Sequence, residues 1–182
     1  MIQMVQLIEL GNRSLLEVLR FFIRNPSTKI SYTALRKKIK AAKATLTKHL
    51  GFLLSSGFIR VEKIGMNKIY ELNKENSIVK QLKILDTLLT LNELELLGRK
   101  YDICIYLYGS ASRGEDAEQS DIDLLIIGKI KKEQILPQIN GLSKKIGRNI
   151  KLVIFTQVDW SQMSRNDAAF YERVEKDKIR LR

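Results

Sequence analysis

The stretch Tyr101-Asp-Ile-Cys104-Ile-Tyr-Leu-Tyr108-Gly109-Ser110-Ala-Ser-Arg113-Gly114-Glu-Asp-Ala-Glu-Gln-Ser120-Asp121-Ile122-Asp123-Leu124-Leu-Ile-Ile-Gly128 reads as strand, Gly-Ser turn, short acidic loop and strand. Ile103, Ile105 and Leu107 alternate with Cys104, Tyr106 and Tyr108, the period-two pattern of a strand with two unlike faces. Leu124 to Ile127 is an apolar run of strand length that opens with two carboxylates. Side chains on a strand repeat every second residue, so Asp121 and Asp123 project from one face and Ile122 from the other. Two carboxylates so placed repel unless a hard cation lies between them, and Mg²⁺ takes one or two protein carboxylates together with substrate phosphates. Gly109 lets a phosphate approach the backbone, while the amides after the turn and the Ser110 hydroxyl supply donors to phosphate oxygens. The pattern suits a Mg²⁺-bound nucleoside triphosphate.

An Asp-x-Asp or a Gly-Ser alone is ordinary surface sequence; the two are specific when one ends a strand and the other starts the next apolar run. Gly109, Ser110, Arg113, Gly114, Ser120, Asp121, Asp123 and Leu124 together resemble the signature of the minimal nucleotidyltransferases of the polymerase β-like superfamily, over about residues 99–160. The resemblance implies an α+β domain with a mixed sheet and flanking helices. It implies that Asp121 and Asp123 are catalytic and hold Mg²⁺, that Gly109, Ser110 and Arg113 bind the triphosphate, and that a nucleoside monophosphate passes to an acceptor hydroxyl. Related minimal proteins are associated with adenylylating partner proteins, so a protein acceptor is among the implied partners. One departure is specific. The family's two-metal members carry a third carboxylate on the strand corresponding to residues 150–155, and this chain has Lys151 there. The metal that activates the attacking hydroxyl normally shares all three carboxylates, so the loss threatens transfer more than nucleotide binding. Asp159 is a candidate stand-in, and Glu115, Asp116 and Glu118 read as solvated loop charges.

The remaining composition bounds the class. The chain has 182 residues, 45% apolar and 29% charged, which is globular and leaves room for one or two small domains. No apolar run reaches the length of a membrane span, and residues 1–10 lack the basic start and cleavage site of an export signal, which predicts a cytoplasmic protein without a membrane partner. Cys104 is the single cysteine and reads as a small buried hydrophobe.

Net charge is +12, and residues 1–75 carry 14 Lys and Arg against 5 Asp and Glu, a net of +9. A field concentrated in this way favours polyanions. Helical spacing is clear over residues 14–24, 32–39 and 44–55, with Ser31 as a cap and Ser56-Gly57 as a stop. Residues 58–62 and 68–72 read as short strands around a turn at residues 63–67. Three helices and a basic hairpin resemble a winged helix-turn-helix domain. That resemblance implies binding to double-stranded DNA through Lys43, Thr45, Thr47 and Lys48 on the third helix, with Arg60, Lys63 and Lys68 on the wing contacting mostly phosphate. His49 has no second His or Cys at ligand spacing and reads as a packing or phosphate-contact residue.

The predicted organisation is therefore a winged helix-turn-helix at residues 1–75, a leucine-rich connecting helix within residues 76–98, and a minimal nucleotidyltransferase-like domain at residues 99–182. The wide apolar face of the connecting helix fits either a homodimer contact or burial within the chain. Further elements are a helix over residues 131–146 near Pro137, a strand over residues 149–155 and one or two helices over residues 159–177. Two functions follow. One is a DNA-binding protein with a Mg²⁺-dependent nucleotidyltransferase domain; the other is a transcriptional regulator whose related domain binds nucleotide or partners without turnover.

Overall fold

The computed structural model describes residues 10–181; the first nine residues, part of the stretch read as lacking an export signal, and residue 182 lie outside the described residues. Asn12 opens the first helix, α1 (Arg13–Arg24), by accepting the Leu15 N–H with its side chain. The spacing of Leu15, Val18, Leu19, Phe22 and Ile23 turns these five side chains to one buried face. Ser31 caps α2 (Tyr32–Ile39), and α3 (Lys43–Ser55) buries Leu46, Leu50 and Leu53. His49 joins that face at 5% exposure, with its Nε2 2.7 Å from the Ser14 hydroxyl. Burial first, then the Lys48 charge, holds its pKa below the ordinary histidine value, so its role is packing between α1 and α3.

β2 (Ile59–Ile64) and β3 (Asn67–Leu72) form an antiparallel hairpin whose register pairs Ile64 with Asn67. The turn is thus only Gly65-Met66, tighter than the five residues expected, because Lys63, Ile64 and Asn67 all join the ladder. Gly65 supplies the positive φ of +59° that so short a turn demands. A two-residue strand, β1 (Ile30–Ser31), adds to β3 and gives the order β1-β3-β2. It is too short for any alternation to show in sequence.

The expected continuous helix over residues 78–97 is two helices, α4 (Ser77–Thr90) and α5 (Leu94–Tyr101). Thr90 turns its hydroxyl back on the Asp86 carbonyl at 2.7 Å, and the Leu94 N–H bonds the Leu91 carbonyl three residues back. The chain turns there so that Leu91 and Leu94 are both buried. A back-bond of this kind from a Thr side chain slightly destabilises and bends a helix. Ile78, Leu85, Leu89 and Leu96 remain exposed. The chain divides into two compact units between Lys83 and Ile84, inside α4.

The second unit is built on a four-stranded mixed sheet, β4 (Cys104–Tyr108), β5 (Ile122–Ile127), β6 (Ile150–Phe155) and β7 (Ile179–Arg180), in the order β6-β5-β4-β7. β5 and β6 are parallel and joined by α6 (Lys132–Ile146), which runs through Pro137 and ends at Gly147 in the left-handed conformation. Ile105, Leu107, Leu124 and Ile126 face Ile135, Ile139 and Leu142 in one core. Leu125 and Ile127 face Trp160 and Val174, on α7 (Gln157–Asn166) and α8 (Ala168–Asp177), in another. A strand covered on both faces reads as a continuous apolar run, which is why β5 shows no alternation after Asp123. Cys104 is half-buried, with Arg180 Nη2 3.6 Å from its sulfur. No helix among the described residues is long and apolar enough to cross a membrane.

Candidate functional site

β4 and β5 are antiparallel neighbours with Tyr108 opposite Asp123, so the turn after β4 and the carboxylates opening β5 meet at one end of the sheet. Gly109 has φ +77°, and a Cβ on it would lie 2.5 Å from Asp123 Oδ2. The glycine therefore serves two needs, a left-handed backbone and room for the Asp123 carboxylate. Ser110 begins a single 3₁₀ turn, Ala111 to Arg113, and its carbonyl accepts the Arg113 and Glu115 N–H groups at 3.2 and 2.9 Å. The buried Ser112 hydroxyl donates to the Gly109 carbonyl at 2.8 Å. These bonds tie the turn back on itself.

Asp121 stands one residue before β5. Its Oδ2 is 2.6 Å from Lys151 Nζ and its Oδ1 accepts Asn149 Nδ2 at 3.0 Å. The hydrogen bond from Lys151, then that from Asn149, holds the Asp121 carboxyl below the usual carboxylate range, and the same pairing raises the Lys151 pKa. Asp123 has the opposite shift. Burial pushes its carboxyl up, Lys151 opposes that, and the Asp121 charge adds to it. Two adjacent carboxylates thus differ in environment: one is ion-paired, and the other is partly desolvated behind Gly109. Burial, then the charge of Asp123, raises the Tyr108 pKa.

Register explains the Lys151 contact. In the parallel β5–β6 ladder Asp123 and Lys151 are Cα partners, and Ile122 pairs with Ile150. The position expected to hold a third carboxylate therefore faces the first two and carries an ammonium group. Asp159 does not stand in for it: it lies beyond the far end of β6, where it closes the α7 capping box with Thr156, whose hydroxyl donates to Asp159 Oδ2 at 2.6 Å. Among the described residues no three of His, Cys, Asp and Glu converge as a metal-holding group.

Arg113 is turned to carboxylates: its Nε donates to Glu115 Oε2 at 2.9 Å and its Nη1 to Asp177 Oδ2 at 3.1 Å. The acidic loop also departs from its reading as solvated charge. Asp116 is 6% exposed and paired with Arg148 Nη1 at 2.7 Å, while Arg148 Nε and Nη2 both donate to the Ser120 carbonyl at 2.9 and 2.8 Å. Arg148 thereby clamps the loop immediately before Asp121. Sequence reasoning missed Arg148 and Asn149, although placing β5 and β6 in parallel register would have set Asn149 beside Asp121. It also missed Arg173, on α8, whose charge bears on Asp123 and Tyr108 and whose guanidinium lies 5.5 Å over the Phe170 ring. An open groove of about 420 Å³ along β6 is lined by Tyr108, Asp123, Lys151 and Val153, with Ile150, Leu152, Lys132, Leu136 and Ile139 completing it. That volume is within the range of small-ligand sites.

In the first unit, Lys43, Thr47 and Lys48 are exposed along α3 and Thr45 is half-buried. The Thr47 hydroxyl is 3.2 Å from the Tyr32 hydroxyl, which also donates to the Lys43 carbonyl at 3.1 Å. Arg60, Lys63 and Lys68 are exposed on the hairpin, where Lys63 and Lys68 are direct cross-strand partners.

Comparison with known proteins adds one firm result. No curated protein matches the chain. The solved structure of reduced HlyU from Vibrio cholerae is 22% identical and covers 52% of this chain and 83% of its own, at a TM-score of 0.36. The family model described as nucleotidyltransferase domain matches residues 87–178, just over half of the chain. That span runs from the end of α4 to the end of α8 and contains the Gly109-Ser110 turn, both carboxylates and Lys151, so the chain belongs to the nucleotidyltransferase domain family.

Proposed function

We propose that this protein is a DNA-binding regulator whose nucleotidyltransferase-family domain binds a nucleoside triphosphate and transfers nucleotide slowly or not at all. The observation that carries the reading is the 2.6 Å contact between Lys151 Nζ and Asp121 Oδ2. Mg²⁺, expected from the paired carboxylates, would find Asp121 already engaged on one oxygen by Lys151 and on the other by Asn149. Among the described residues Asp123 has no such bond to a side chain, the ammonium on Asp121 sets a like charge against a metal there, and a two-metal transfer centre needs more oxygen ligands than these two carboxylates supply. The donor set does not fit a two-metal cage. The Gly109-Ser110 turn, which needs no metal to present its donors, supports retained nucleotide binding, with Arg113 ordering the loop through Glu115 and Asp177.

A second reading, Mg²⁺-dependent transfer of a nucleoside monophosphate to an acceptor hydroxyl on a partner protein, is favoured by the intact pair Asp121 and Asp123, the latter lining the groove. Mass spectrometry of the protein and of whatever co-purifies with it, after incubation with triphosphate and Mg²⁺, separates the two. An added nucleotidyl mass at a rapid rate supports the second and excludes the first.

The DNA-binding half of the proposal rests on the first unit. Three helices are followed by an antiparallel hairpin, the order of a winged helix-turn-helix, and the residues expected to face DNA on α3 and the hairpin are mostly exposed. Like charges directly opposite across two strands are destabilising, yet Lys63 faces Lys68 across the ladder. A phosphate backbone between them would relieve that cost. Affinity for duplex DNA is expected to fall with salt by about 0.9 log unit per log unit of salt for each phosphate neutralised. Converting both Lys43 and Lys48 to Ala should weaken binding and make the slope shallower by about two phosphates' worth. Electrophoretic or anisotropy titrations at several salt concentrations measure both quantities; binding indifferent to salt and to the double substitution would remove the assignment.

A further inference from the structure

Lys151 stands beside both carboxylates of the site, directly bonded to Asp121 and in register with Asp123. An ammonium group there is bonded to one carboxylate and its charge bears on the other. We propose that Lys151 is the resident cation of this site, so that the domain binds the polyphosphate of a nucleoside triphosphate without a divalent metal. This rests on the nucleotide reading given above and assigns the counter-charge that such binding requires.

Asp121 and Asp123 together present two negative charges toward the end of the sheet where a phosphate would meet the Gly109 turn. Left alone, they would repel a triphosphate, and a metal is the usual means of reversing the sign. Here Lys151 and Arg173 bring two positive charges to the same end of the sheet, which offsets the carboxylates before any ion arrives. Asn149 holds the second Asp121 oxygen at 3.0 Å, which fixes the carboxylate that positions Lys151. An ammonium has three N–H donors, and its bond to Asp121 uses one. The Lys151 side chain is 63% exposed, so the others can reach a ligand in the groove. Lysine binds phosphate as a point charge, a role that needs no fork geometry and tolerates either end of a short reach.

Isothermal titration of the full chain with ATP, once in EDTA and once in excess MgCl₂, tests the proposal. The two affinities are expected to agree within about threefold, a difference below roughly 1 kcal/mol. Lys151→Gln should lower the affinity in EDTA by about tenfold or more, the loss of one charge-assisted bond, and Lys151→Arg should retain most of it. Lys151→Asp should abolish binding in EDTA and restore it with Mg²⁺. Because the side chain is exposed, these variants should keep the Trp160 emission of the folded unit, and the comparison in EDTA and Mg²⁺ on the unaltered protein stands without them. If Mg²⁺ strengthens ATP binding to the unaltered protein by more than about tenfold, Lys151 is not the cation and the nucleotide reading survives. If ATP fails to bind under either condition, both are overturned.

Discussion

Arg148→Ala is expected to destabilise the second unit by about 3 kcal/mol, the largest effect of any single change near the site. The substitution removes the 2.7 Å partner of the nearly buried Asp116 and both donors to the Ser120 carbonyl. Breaking an ion pair from one side costs more than the pair was worth, because the remaining charge stays desolvated. Arg148→Lys should cost about 1 kcal/mol, since it keeps the charge and loses the two-point grip on Ser120. Trp160 is the single tryptophan and lies in the core behind β5, so its fluorescence reports unfolding of this unit in urea. A shift of the midpoint no larger for Ala than for Lys would show that the clamp is not what orders the loop.

Gly109→Ala is expected to cost about 2 kcal/mol and to abolish nucleotide binding. The left-handed backbone alone costs a residue with a Cβ about 1–2 kcal/mol. The added methyl would also sit 2.5 Å from Asp123 Oδ2, so the carboxylate must move out of the place the turn makes for it. Calorimetric titration with ATP and a urea midpoint on the same preparation separate the two effects. A variant that kept full affinity would mean that the Gly109 turn does not carry the phosphate.

The local pattern was legible where a short period decides it. Asp121 and Asp123 share a face because strands repeat every two residues, and Lys151 was placed beside them by the family resemblance, which puts a third carboxylate on the strand at residues 150–155. The first depends on near neighbours in sequence and the second on a family pattern. What escaped depends on partners far along the chain. Arg148 meets Ser120 and Asp116 across 28 and 32 residues, and Arg113 meets Asp177 across 64. No periodicity announces such pairs, and an acidic loop of Glu115, Asp116 and Glu118 looks solvated until its arginines are known. The break between α4 and α5 escaped for another reason. Leucines continue at helical spacing straight through it, and the chain turns at residues 91–93 so that Leu91 and Leu94 are both buried, which the spacing does not reveal.

The two carboxylates, though adjacent, are not equivalent. Lys151 and Asn149 stabilise the charge of Asp121, while partial burial works against the charge of Asp123. As pH falls, Asp123 takes up its proton first, because its pKa is raised and that of Asp121 is lowered. The Lys151–Asp121 pair persists to lower pH, and ligand binding that depends on Lys151 should persist with it.

Transfer of label from a triphosphate carrying it on the α-phosphate, measured with Mg²⁺ on the unaltered protein and on Lys151→Asp in the presence of co-purifying proteins, bears most directly on the account. Lys151 facing both carboxylates predicts negligible labelling by the unaltered chain and faster labelling once the lysine is exchanged for a third oxygen ligand. Rapid labelling by the unaltered chain, lost on that exchange, would contradict it.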